Sequence, residues 1–130
     1  MNKKLWTFGT IIPFALGGMV ATAPAASAKT VATQASGQCS MGSHWKAKAK
    51  PDDGRMEFEL EVDSNRNGQR WTVRITNTRR LVFAGSRVTL APSGSFEVDR
   101  LTANRAGLDH FVGVARNPRT NEVCIARVNR

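Results

Sequence analysis

The chain has 130 residues, a formal net charge of +9, two cysteines and two histidines. That length holds one domain with one core and excludes several independent ones. The cysteines and histidines (Cys39, Cys124, His44, His110) lack any zinc-like pair spacing, and no acid, base and nucleophile are assembled in a recognisable motif.

The first 28 residues read as a secretory signal peptide. Lys3 and Lys4 form a positive start, and an apolar stretch from Leu5 to Val20 follows, broken by Pro13 and Gly17-Gly18. Ala26-Ser27-Ala28 then supplies a small-x-small cleavage site. The stretch is too short and interrupted for a membrane span of about 20 residues. With no twin-arginine pair, a Sec-type export route and a secreted, extracellular location are expected. Cleavage after Ala28 leaves 102 residues and lowers the formal charge from +9 to +7 by removing Lys3 and Lys4.

Residues 29–38, small and polar, read as a flexible leader, so the domain is expected over 39–130. From there on the apolar pattern has period two, the signature of half-buried strands. Trp45, Ala47 and Ala49 alternate with Lys46, Lys48 and Lys50. Met56, Phe58, Leu60 and Val62 alternate with Glu57, Glu59, Glu61 and Asp63, the clearest alternation in the chain. Between these stretches, Pro51-Asp52-Asp53-Gly54 has the composition of a turn. A four-residue turn there sets Lys50 opposite Arg55, Lys48 opposite Glu57 and Lys46 opposite Glu59. The lysines then meet glutamates across the hairpin and cease to be a free cationic stripe.

"DSNRNG", from Asp63 to Gly68, resembles the first half of a calcium loop. Its twelfth position is Arg74 instead of a bidentate glutamate, and its flanks read as strands. A turn with Asn67-Gly68 at its tip is the expectation, and no metal site or cofactor is expected anywhere. Trp71, Val73 and Ile75 point inward on the next strand, with Arg70, Thr72, Arg74 and Thr76 outward. Leu81–Phe83 and Arg87–Leu90 read as two short strands. Phe96 and Val98 mark another, and Phe111–Arg116 and Val123–Val128 the last two. Turn signals recur every ~8–12 residues. About seven short strands predict an all-β, antiparallel two-sheet sandwich, with a closed barrel as its rival.

In an exported chain an even pair of cysteines closes. Cys39 and Cys124 are therefore expected to form a disulfide, whose loop closure contributes about 4 kcal/mol in the chain-entropy account.

Three features resemble immunoglobulin-like and fibronectin type III-like sandwiches. Trp71 lies on the third strand, "AGLDHF" (Ala106–Phe111) resembles the E–F corner, and "ARNPRTNEVC" (Ala115–Cys124) looks like the F–G hairpin. Phe111 stands where a tyrosine is usual, so the corner lacks its hydroxyl hydrogen bond. The cysteines do not lie on strands B and F, so the bond of antibody domains is absent. "SGSFEV", "NRAGLDHF" and "EVC" are also similar to a group of small secreted actinobacterial proteins of unknown function. That resemblance covers most of the domain and names no activity.

The charge is unevenly distributed. Lys29–Asp63 holds five basic and six acidic residues, whereas Ser64–Arg130 holds twelve arginines, no lysine and four acids. In a sandwich of this kind the strands around Trp71, Phe111 and Ile125 share one sheet. Its outer face is expected to carry Arg70, Arg74, Arg116 and Arg127 with Val112, Val114, Val123 and Ile125. Arginine among apolar residues suits carboxylate or phosphate recognition. The expected function is a non-enzymatic binding or structural module without catalytic residues, whose partner is an anionic cell-wall polymer or an acidic protein. Nucleic acid is disfavoured by the absence of a recognition helix or aromatic RNA-binding strand. A monomer is expected. The alternative is a secreted inhibitor of an extracellular hydrolase or protease, presenting Asn117–Glu122 or Arg79-Arg80.

Overall fold

The computed structural model describes residues 32–130. The signal peptide expected over 1–28 lies outside the described residues. Eight strands follow in chain order: β1 (Thr33–Gln38), β2 (His44–Asp52), β3 (Arg55–Asp63), β4 (Arg70–Asn77), β5 (Arg80–Val88), β6 (Ser95–Ala103), β7 (His110–Arg116) and β8 (Val123–Asn129). They form two four-stranded antiparallel sheets, ordered β1-β2-β3-β6 and β5-β4-β7-β8. The expected all-β, two-sheet sandwich is what the chain builds, with eight strands in place of about seven.

Period-two alternation explains the core. Met56, Phe58, Leu60 and Val62 of β3 face Trp71, Val73 and Ile75 of β4, with Phe96, Val98, Phe111, Ala115, Ala126 and Val128 filling the space between the sheets. Phe58 and Phe111 stack across the layers, with ring centroids 4.5 Å apart, a pairing worth about 0.5–1.5 kcal/mol beyond its area. Gly113 sits under Leu60, where a Cβ would come within 3.0 Å of Leu60 Cδ2. At one open edge of the sandwich, Phe83 is covered by the guanidinium groups of Arg87 and Arg100, at 4.8 and 4.5 Å from its ring.

Three expectations are corrected. Residues 33–38 are not part of a flexible leader: they form β1, which pairs with β2 from Thr33↔Ala49 to Gln38↔His44. Gly37 lies against the Trp45 ring, where a Cβ would come within 2.9 Å of it, so only glycine leaves room for that indole. Secondly, the β2–β3 hairpin turns on Asp53-Gly54 alone, both in the left-handed region at φ 51° and 82°, as a two-residue hairpin requires. Asp52 therefore faces Arg55, and the charged pairs become Lys50↔Glu57, Lys48↔Glu59 and Lys46↔Glu61. The slip is two residues, so inward and outward faces are preserved. Pro51 pairs with Met56 within β2, and among the described residues the last β1 pair is Thr33↔Ala49, so no described β1 acceptor faces it. Thirdly, the two short strands expected at Leu81–Phe83 and Arg87–Leu90 are one strand, β5, with a register shift opposite Ile75/Thr76.

The expected bond joins Cys39 to Cys124. Around it, buried Glu122 accepts hydrogen bonds from Met41 N (3.1 Å), Ser43 N (2.8 Å) and Ser43 Oγ (2.8 Å). Ser40 N and Val123 O, and Val123 N and Ser40 Oγ, complete the seam. The stretch before β7 is tied to the end of β4 without any tyrosine hydroxyl. Asn77 Nδ2 donates to buried Asp109 Oδ1 at 2.8 Å, and Asp109 exchanges two backbone hydrogen bonds with Arg130.

Candidate functional site

Each outward residue of a strand is set by its register, and the registers of β4, β7 and β8 bring the six expected residues onto one surface. Arg74 lies beside Val114, and Val114 beside Ile125. Thr72, Arg116 and Val123 form the neighbouring row, and Thr76, Val112 and Arg127 the row on the other side. Arg70, Arg74, Arg116 and Arg127 are exposed, Ile125 is 46% exposed, and Val112 is half-buried. Strand β5 extends the surface with Ala84 beside Arg74, Ser86 beside Thr72 and Val88 beside Arg70. That contribution was not legible from the sequence, where β5 read as two fragments.

No carboxylate among the described residues stands on this face. Of the acids after Ser64, Asp109 and Glu122 are buried and hydrogen-bonded, and Glu97 and Asp99 belong to β6 in the other sheet. Among the described residues none of the four arginines has an ion pair. Arg116 Nη2 donates to Asn121 Oδ1 at 3.2 Å, a neutral partner. Diagonal neighbours such as Arg74 and Arg116 sit about 7–8 Å apart on a sheet, with β-branched side chains between them. Such a surface can offer paired N–H donors to an oxyanion and apolar contact to the atoms that carry it.

The opposite face is internally compensated in part. Lys46–Glu61, Lys48–Glu59 and Lys50–Glu57 form ion pairs at 3.6, 3.4 and 3.6 Å. On their other side the glutamates of β3 meet like charges, Glu59 opposite Asp99 and Glu61 opposite Glu97. Burial, and then the charges of Asp99, Glu59 and Glu61, push the Glu97 carboxyl above its ordinary range. Asp99 is raised by burial and then by Glu59 and Glu57. Carboxylate oxygens of Glu57, Glu59 and Asp99 lie within 4.8 Å of one another, but Lys50 and Lys48 already pair with the two glutamates. The cluster follows from strand register and gives no ligand set of its own.

The loops proposed for hydrolase contact are better held than one remote disulfide implies. Asn117 Oδ1 accepts from Arg119 N (2.9 Å) and Thr120 N (3.3 Å), and Glu122 anchors the end of the same loop. Thr78 and Arg79 form the β4–β5 turn at φ 47° and 70° without a glycine. The calcium-like stretch begins at Asp63, the last residue of β3, and continues as a loop to Gly68, with Asp63 Oδ1 accepting from Asn65 N at 2.8 Å. Gly94 approaches it so closely that a Cβ would lie 2.7 Å from Asn65 C.

No protein-family model matches the chain, and no curated protein or solved structure matches it either.

Proposed function

We propose that this is a secreted, non-enzymatic binding or structural module with an immunoglobulin-like sandwich, whose arginine face holds an anionic extracellular or cell-wall partner. The observation that carries the reading is the outer face of β5-β4-β7-β8: four arginines, interleaved valines and isoleucine, and no carboxylate among the described residues. The lysines of the other sheet are spent on their own glutamates, so the uncompensated positive charge is concentrated on one side. An anionic polymer or acidic protein fits that distribution.

The order β2-β3-β6 opposite β5-β4-β7-β8 and fully buried Trp71 support the immunoglobulin-like or fibronectin type III-like reading. The kinship with small secreted actinobacterial proteins belongs to the same reading. The leader pattern and the Cys39–Cys124 bond support export to an oxidising compartment.

The test is retention on cell-wall material at low salt. Arg74→Glu with Arg116→Glu should release a protein that the wild type retains, and equal retention would reject the face. A second reading, inhibition of an extracellular hydrolase, is favoured by the bracing of the Asn117–Glu122 loop. Incubation with trypsin-like and subtilisin-like proteases tests it: cleavage at the loop with undiminished protease activity rejects inhibition.

A further inference from the structure

We infer that the loop end of the sandwich carries a separate groove for an oxyanion, the carboxylate or phosphate group of an anionic polymer. The inference rests on the anionic-partner reading of the arginine face, which it extends to a defined subsite. A groove of about 720 Å³ opens between the loop that joins β3 to β4 and the loop that joins β7 to β8. Arg70 and Arg119 line it, together with Asn67, Gln69, Asn117 and Thr120. Arg70 also begins β4 on the arginine face, so the two surfaces are continuous.

The charges are arranged for an anion. Among the described residues no carboxylate lines the groove. The acids nearest in sequence are turned to other work: Glu122 takes hydrogen bonds from Met41 and Ser43, and Asp63 takes one from Asn65. Neither Arg70 nor Arg119 makes an ion pair or side-chain hydrogen bond among the described residues, so both guanidinium groups have their donors free for a bidentate oxyanion contact.

The walls are preorganised. Asn117 O accepts from Asn121 N at 2.7 Å, and Gly68 N donates to Thr89 O at 2.8 Å. Gln69 N donates to Thr89 Oγ1 at 2.9 Å. Binding there does not have to order two loops first, which lowers its entropic cost.

The test is an amide chemical-shift titration of the ¹⁵N-labelled protein with three short probes: a galacturonate trimer, a glycerol phosphate trimer and inorganic triphosphate. Saturable shifts confined to residues 67–70 and 117–120 with at least one of the three probes are expected, and which probe binds tells a carboxylate from a phosphate. Arg119→Gln should weaken that binding about tenfold, as loss of one charged hydrogen bond implies. Shifts spread evenly over all exposed arginines, or affinity unchanged by Arg119→Gln, would overturn the groove. Failure of the two sites is separable. Probes without effect on the groove, beside polymer retention that Arg74→Glu with Arg116→Glu abolishes, sink the groove alone. Groove shifts beside retention indifferent to those two substitutions sink the face alone.

Discussion

Glu122 holds Ser43 twice, with Oε2 on the backbone N–H and Oε1 on the hydroxyl, both at 2.8 Å, across 79 residues of sequence. The contact fastens the turn before β2 to the loop before β8, next to the Cys39–Cys124 bond. Glu122→Ala leaves buried donors unpaired and should lower stability by about 2 kcal/mol, with Ser43→Ala costing about 1 kcal/mol. The urea midpoints of the two variants check this, and a midpoint unmoved by Glu122→Ala would show that the latch contributes nothing.

Reduction of the disulfide should cost about 4 kcal/mol, the loop-closure term for 85 residues. Intact mass after alkylation should show no free thiol before reduction and two after it. Because bond and latch secure the same turn, reduction and Glu122→Ala should be non-additive. Strict additivity would mean that the two act on different openings.

An amide–carboxylate pair at 2.8 Å, Asn77 to Asp109, ties the end of β4 to the start of β7. Asn77→Ala strands Asp109, which is only 2% exposed, and should cost about 1–3 kcal/mol. Thermal unfolding of this variant beside Phe111→Tyr would show whether the hydroxyl can act as a substitute.

The carboxyls of Glu97 and Asp99 behave oppositely to paired acids. Burial comes first and like-charge neighbours second in raising both. In the window between their ordinary and raised pKa values the native state binds more protons than the unfolded chain. Their contribution to stability therefore improves as pH falls through the native pKa, and levels off below the unfolded value. Above the native pKa both states are ionised and the fold bears the full repulsion. Glu97→Gln with Asp99→Asn should raise the urea midpoint at neutral pH and leave it unchanged at about pH 3, below the ordinary values. A midpoint lowered at neutral pH would contradict that sign.

Much of the fold was legible because Met56–Val62 and Trp71–Ile75 alternate so strictly that one face must be buried. The pairing partners of β3 were less so, since Pro51 looks like a turn residue and only the two-residue turn at Asp53-Gly54 reveals that it lies within a strand. β1 carries no apolar alternation to read; Thr33–Gln38 is held by backbone pairing and by the fit of Gly37 to Trp45. The arginine face could be drawn from β4, β7 and β8 by parity alone. The groove beside it could not, because Gln69 and Arg119 stand 50 residues apart and meet only through two loops.

The central claim is tested most directly by affinity for an immobilised anionic polymer, such as polygalacturonate, measured across a salt series for the wild type and for Arg74→Glu with Arg116→Glu. The wild type should bind tightly at low salt and weaken steeply as salt rises, and the double variant should bind weakly with little salt dependence. Equal affinity and equal salt dependence for the two proteins would contradict that claim.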